Sequence, residues 1–281
     1  AYDNRLSLVG SEMCIRDSNH HIKEQGMRLE GKTAIVTGAT GGIGAATSKR
    51  YLEEGANTIL VGRSKEKLDD LIDNIPFAEN ALIHVAEATD EDAVIDCMKV
   101  AKDKFGSVDI VVANAGTEGV VQPLTEFTVE EFNHLFSINV TGVWLYMKHA
   151  IPIMKEQGSG SIIAVASAAG LVGFNGLCPY SASKHAVCGL VKTACIENGP
   201  FGIRVNALAP GPIDNRMMAS LGEQLNPEDP QSVRDIVTDL NPMNRYGTNE
   251  EIANLALFLG SDESSYCNGS VYLADGGFTA G

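Results

Sequence analysis

Positive charge is scarce in this chain. Its 281 residues carry 21 Lys and Arg against 36 Asp and Glu, a formal charge of −15 at pH 7. That balance argues against nucleic acid and anionic membranes as partners. Its plainest reading is a well-solvated acidic exterior. Long apolar runs are also missing: no stretch is long enough to cross a bilayer, and the most apolar one, 161–174, is rich in Ala and Gly and reads as a core strand and loop. The cysteines (Cys14, Cys97, Cys178, Cys188, Cys195 and Cys267) show neither paired metal spacing nor the pattern of a secreted disulfide scaffold. His20 and His21 are adjacent, and His84, His134, His149 and His185 are scattered, so no metal site is expected. Residues 29–281 contain no repeat, low-complexity tract or linker. A cytoplasmic location is the expectation.

Residues 1–26 stand apart. They lack hydrophobic periodicity and the apolar core of a signal peptide, being interrupted by Asp3, Glu12, Asp17 and Glu24. The string Ser11-Glu12-Met13-Cys14-Ile15-Arg16-Asp17-Ser18 resembles translated sequencing-adapter read-through. The expectation is a non-native extension with translation starting at Met27, or else a disordered tail. Residues 27–281 are read as one domain.

From Leu29 onward, strand and helix patterns alternate. Short β-branched apolar runs predict strands over Thr33–Thr37, Asn57–Gly62, Ala81–Ala86, Asp109–Ala113, Ser161–Ser167, Arg204–Ala209 and Ser270–Ala274. Helical patterns fall between them at Gly42–Glu54, Lys65–Asn74, Glu91–Phe105, Val129–Gln157 (broken), Tyr180–Asn198 and Glu250–Gly260. Such alternation implies right-handed crossovers and an α/β fold. Its core is a doubly wound parallel sheet of about seven strands with helices on both faces. Ligands bind such sheets beyond the carboxyl ends of the strands.

The first strand runs into Thr37-Gly38-Ala39-Thr40-Gly41-Gly42-Ile43-Gly44 and then into a helix that stops at Gly55. Strand, glycine turn, helix is the context of a dinucleotide site: glycines let the backbone approach a pyrophosphate, and the helix start offers free N–H groups and positive dipole. Alone, the same turn can be a ligand-free strand-to-helix connection. A second motif lies far downstream. Tyr180 and Lys184 are four residues apart, one helical face, and Ser167 lies thirteen residues before the tyrosine. A phenol of pKa about 10 is a poor proton carrier at neutral pH, and a neighbouring ammonium lowers that value. A serine hydroxyl beside them can hold a carbonyl oxygen. The trio suits proton transfer on an alcohol oxygen.

With these motifs in order, the chain resembles the short-chain dehydrogenase/reductase family in its compact form. Asn114-Ala115-Gly116 follows the fourth strand, Asn139 sits in the long helix, and Pro210-Gly211-Pro212-Ile213 follows the sixth strand. Ala274-Asp275-Gly276-Gly277 comes near the end. The resemblance implies a Rossmann-type fold and a nicotinamide-dependent oxidoreductase interconverting a secondary alcohol and a ketone. Tyr180 would be the acid/base. Lys184 would lower its pKa and hold the nicotinamide ribose, Ser167 would bind the substrate oxygen, and Asn139 would hold a water linking Lys184 to solvent. On its own residues, Asn139 reads instead as a helix amide bonded to backbone. The cofactor set it implies comprises Gly38, Thr40, Gly41, Gly42, Ile43 and Gly44 at the phosphates, with Arg63, Ser64, Glu87, Ala88, Asn114, Ala115 and Gly116 toward the adenosine. Tyr180, Lys184, Pro210, Gly211, Ile213 and Asn215 complete it at the nicotinamide.

Three positions depart from the family's habit. Gly62 stands where NAD users place an acidic residue, leaving room for a 2′-phosphate that Arg63 and Ser64 can bind; NADP is favoured over NAD, with Arg63 as a mere solvated charge near Glu66 the competing reading. Glu87 replaces an Asp near the adenine, and Asn215 a threonine. The segment 212–232, with little periodicity, carries Met217, Met218, Leu221 and Leu225 and in this family forms a mobile lid. Leu171, Val172, Phe174 and Leu177 offer the opposite wall, or plain core. No basic residue except Arg216 is placed to hold a carboxylate, so an apolar, alicyclic substrate is favoured. Glu118 either touches a polar group of the substrate or faces water. The alternatives are a reductase of acyl-carrier-linked ketones and a non-catalytic dinucleotide-binding regulator. A homodimer or homotetramer is expected through the long helices.

Overall fold

The structure, a computed structural model, describes residues 26–281. The expectations placed on residues 1–25 therefore lie outside the described residues. Seven parallel strands form one sheet: β1 (Thr33–Thr37), β2 (Asn57–Gly62), β3 (Ala81–Val85), β4 (Ile110–Ala113), β5 (Gly160–Val165), β6 (Ile203–Pro210) and β7 (Val271–Ala274). Their order is β3-β2-β1-β4-β5-β6-β7, so the winding reverses between β1 and β4. The helices are α1 (Gly42–Glu53), α2 (Lys65–Asn74), α3 (Glu91–Phe105), α4 (Val129–Phe136), α5 (Gly142–Gln157), α6 (Cys178–Asn198), α7 (Arg216–Leu225), α8 (Pro230–Leu240) and α9 (Asn249–Gly260).

The strands read as continuous apolar runs because both faces of the sheet are covered. In β1, Ile35 packs into the core shared with α3, α5 and α6, while Ala34 and Val36 face Tyr51 of α1 and Leu257 of α9. A third cluster joins Leu52, Leu60 and Leu68 beneath α2.

The expected long helix is broken. α4 opens with a Thr128–Glu131 capping box, passes into a π-helical turn at Ser137–Thr141, and continues as α5. Such turns are frequent at functional sites, and this one carries Asn139. The segment 212–232, weakly periodic in the sequence, contains α7 and the start of α8. Asn215 caps α7 by accepting from the N–H groups of Met217 and Met218, and Asp229 caps α8, whose first turn holds Pro230. Those caps were readable; the short apolar stripe of α7 hid its period. β5 also stops at Val165, and Ser167 instead caps a tight turn at Ala168–Gly170. α6 starts at Cys178 with Pro179 in its first turn, before the expected Tyr180.

Candidate active site

The winding reversal opens a crevice at the carboxyl ends of β1 and β4, and the glycine turn and Asn114 flank it. Gly38 adopts a left-handed φ of 62°, and a Cβ there would lie 2.9 Å from the Cα of Ala115. A Cβ on Gly44 would lie 2.2 Å from the carbonyl oxygen of Gly38. Gly41 caps α1 with no side-chain acceptor, so the first-turn N–H groups at Gly42 and Ile43 are left for an external anion. The Asn114 amide donates to the carbonyls of Thr37 (2.9 Å) and Gly38 (3.3 Å). The N–H groups of Asn114 and Ala115 both donate to the Thr37 hydroxyl, each at 2.9 Å. These bonds tie the end of β4 to β1. Thr37 as their acceptor was not anticipated.

At the end of β2, Gly62 is buried; a Cβ on it would sit 3.5 Å from the Thr40 methyl group. Arg63 is exposed and enters none of the ion pairs formed by the described residues; Lys65 beside it pairs with Asp69. Ser64 caps α2, accepting from Lys67 N–H at 3.3 Å. Glu87 is exposed just past β3, and Ala88 packs on Gly142, where a Cβ would lie 3.1 Å from it. On the far side of the crevice, Pro210 pairs with Ala274, Gly211 donates to the Ala274 carbonyl, and Ile213 bridges to Gly247. The Asn215 amide donates to Asn249 Oδ1 at 3.3 Å, and Asn249 in turn crowds Gly42, within 2.6 Å of where its Cβ would be. Asn249 escaped sequence reading because nothing in its local pattern distinguishes it from a helix start.

Between these walls stand Ser167, Tyr180 and Lys184. The Lys184 ammonium lies 5.7 Å from the Tyr180 ring centre and donates to the Val165 carbonyl at 2.9 Å. Asn139 is fully buried. Its side chain accepts from Thr117 N–H (2.9 Å) and donates to the Thr117 carbonyl (2.9 Å) and the Ser183 hydroxyl (3.1 Å). This is the backbone-bonding reading. It pins the loop after β4 so that Gly116 faces the site, where a Cβ would sit 3.6 Å from Lys184 Nζ. Ser183, holding Asn139 from α6, is a further member that spacing did not single out.

One expectation fails. The spacing to Lys184 predicts a lowered Tyr180 pKa; the fold raises it instead. Burial dominates, the Ser167 hydrogen bond lowers it by less, and the Glu118 charge raises it. Lys184 does not compensate. Its ammonium is engaged by Val165, and burial pulls its own pKa down to about 8. Tyr180 is therefore a protonated phenol at neutral pH. Its hydroxyl donates to Met217 Sδ of α7 at 3.8 Å. Leu135, Ala169, Leu177 and Leu221 are buried around it, with Phe174 packed against them. Leu171 and Val172 are instead exposed and outside this wall. Glu118 does not face water: it is buried and bound by Arg216.

The Lys184 shift has a thermodynamic consequence. A folded pKa of about 8 lies below the ordinary 10.5, so protonation of the buried amine opposes folding. The penalty is full below pH 8, shrinks between 8 and 10.5, and vanishes above that. Lys184→Met removes it. Urea unfolding should show a stability change that is more favourable at pH 7 than at pH 10; the same change at both values would contradict a titrating, buried Lys184.

The sequence and the fold both have counterparts among known proteins. A family model described as Enoyl-(Acyl carrier protein) reductase matches residues 38–279. Levodione reductase of Leifsonia aquatica is 38% identical over 257 residues, covering 90% of this chain and 96% of that protein. Cis-4-hydroxycyclohexanecarboxylate dehydrogenase of Sinomonas cyclohexanicum is 38% identical over 250 residues, covering 89% and 97%. A crystal structure of levodione reductase superposes with a TM-score of 0.87 at 38% identity, over 90% of this chain and 99% of that one. No helix among the described residues is long and apolar enough to cross a membrane. The chain thus belongs to the short-chain dehydrogenase/reductase family, oxidoreductases that act on CH–OH groups with a nicotinamide dinucleotide.

Proposed function

We propose that the protein interconverts an alicyclic secondary alcohol and its ketone, with NADP(H) preferred over NAD(H). The observation that carries this reading is the convergence of Ser167, Tyr180 and Lys184 on an apolar wall beside a glycine cradle that admits no side chain. Two relatives whose names specify ring-shaped substrates support the substrate class.

The residues fit the dinucleotide. The main chain at Gly38–Gly44 and the start of α1 would hold the pyrophosphate. Asn114 and Gly116 would border the adenosine side and the ribose, with Pro210–Ile213 and Asn215 at the nicotinamide. When bound, the nicotinamide supplies or accepts the hydride. The chain's own residues do the rest. Ser167 orients the substrate oxygen by hydrogen bonding. Tyr180, protonated at neutral pH, donates its phenolic proton to that oxygen in reduction and withdraws it in oxidation. Lys184, with a pKa of about 8, is poised to exchange protons near neutrality. Met217 and the buried leucines exclude water from the reacting oxygen.

Arg63 supports the NADP preference: it is exposed and unpaired among the described residues, beside Ser64 and a side-chain-free Gly62. The apolar side chains exposed on α4 and α5 (Val129, Phe132, Trp144) and on α6 (Ile196) support a homodimer or homotetramer. We place the enzyme in the cytoplasm and take Met27 as the start of its one domain. The acidic exterior weighs against docking an acidic acyl carrier.

Tyr180→Phe should lower turnover by on the order of 1000-fold while nicotinamide dinucleotide affinity stays within about twofold; retained turnover would remove Tyr180 from the proton-transfer role. Arg63→Ala should weaken NADP binding by about tenfold and leave NAD nearly unchanged, read by titration calorimetry; equal losses would make Arg63 a solvated charge. Light scattering on the chain from Met27 should give a dimer or tetramer mass, and a monomer mass would refute the assembly.

A further inference from the structure

Arg216 opens α7, where the positive end of the helix dipole disfavours a cation. Glu118, in the loop after β4, holds it there. Nη1 donates to Oε1 at 2.9 Å and Nη2 to Oε2 at 3.1 Å. The partners are buried unequally: the Glu118 side chain is 6% exposed and that of Arg216 is 73% exposed. Burial pushes the Glu118 carboxyl up, but the Arg216 and Ser220 hydrogen bonds outweigh it and keep the group ionised. The contact is reinforced by Gln224 of α7, which accepts from Val121 N–H at 2.9 Å and donates to the Gly119 carbonyl at 3.3 Å.

The pair borders the reacting centre. The residue after Arg216 is Met217, whose sulfur lies on the Tyr180 hydroxyl, and the charge of Glu118 is felt at that phenol. The wall around them is aliphatic and aromatic, built from Leu135, Leu177, Leu221 and Phe174. Lys184, the other cation beside Tyr180, is buried and bonded to Val165.

We infer that the Glu118–Arg216 pair is a charge filter, restricting the site to uncharged ring ketones and alcohols and rejecting rings that carry a carboxylate. This rests on the ring-ketone reading above and narrows it. Arg216 is the exposed cation beside Tyr180, and both of its terminal nitrogens are already bound to a carboxylate. A substrate carboxylate that took the guanidinium would strand the ionised Glu118 in the interior, where an unpaired charge is strongly disfavoured. One that left the pair intact would lose water beside a net-neutral couple and gain no counter-charge. Removing the charge of Glu118 frees the guanidinium at the mouth of the site and converts the filter into an anchor.

The test uses the chain from Met27 with its nicotinamide cofactor and two matched alcohols, 4-methylcyclohexanol and cis-4-hydroxycyclohexanecarboxylate. The wild type should favour the neutral alcohol in kcat/KM by on the order of 100-fold. Glu118→Gln should shift that ratio at least about tenfold toward the carboxylate, and Glu118→Gln/Arg216→Met should abolish the shift. Calorimetry with cyclohexanecarboxylate reads the pair without turnover: no binding to the wild type, binding to Glu118→Gln. Equal use of both alcohols by the wild type, or an unchanged ratio and no carboxylate binding in Glu118→Gln of native melting temperature, overturns the filter. If the wild type oxidises neither alcohol while Glu118→Gln binds cyclohexanecarboxylate, the ring-ketone reading falls and the filter stands.

Discussion

At the top of β1, three stretches of main chain approach so closely that two of them must be glycine. Gly38, Gly44 and Ala115 are packed to the point where a Cβ on either glycine meets backbone within 2.9 Å. The side chain of Asn114 and the hydroxyl of Thr37 stitch this junction across the strands where the winding reverses. The cradle for a dinucleotide follows from that closeness. α1 can point its free N–H groups at a ligand because no side chain intrudes between helix and strand. The loop after β4 is held in the same junction, and it delivers Gly116 and Glu118 to the other half of the site.

A second fixed point answers the first. The π-helical turn between α4 and α5 places Asn139 in the interior, where its amide takes both backbone groups of Thr117 and the hydroxyl of Ser183. α6 is thereby locked to the loop after β4. That lock sets Lys184 against Gly116 and the Val165 carbonyl, and Tyr180 beneath Met217. The burial that results has two effects of opposite chemical sense. It holds Tyr180 as a phenol and draws Lys184 down toward neutrality, because desolvation disfavours the charged form of each. Tyr180 is thus held in its proton-donating form.

Much of this was legible beforehand for identifiable reasons. β1, β2 and β5 are unbroken apolar runs because helices cover both faces, and that pattern survives in the one-dimensional chain. Tyr180 and Lys184 announce themselves because four residues make one helical face. Contacts between distant segments left no such mark. Thr37 and Asn114 are 77 positions apart, and Glu118 and Arg216 are 98 apart. The pattern around Glu118 read equally well as a solvent-facing or substrate-facing carboxylate; only its encounter with α7 decides. The direction of the Tyr180 shift departs from what the spacing predicts for a related reason. Spacing gives the proximity of the ammonium, but not that it points at the Val165 carbonyl, nor how deeply the phenol is buried.

Redox chemistry on a ring alcohol or ketone through a bound nicotinamide dinucleotide is the activity proposed for this chain. Its most direct test is the absorbance of the reduced nicotinamide, followed with NADPH and NADH separately against a panel of unsubstituted and alkyl-substituted cyclic ketones. The account predicts ketone-dependent loss of absorbance, faster with NADPH. Dinucleotide binding with no loss of absorbance for any ketone of the panel would contradict it.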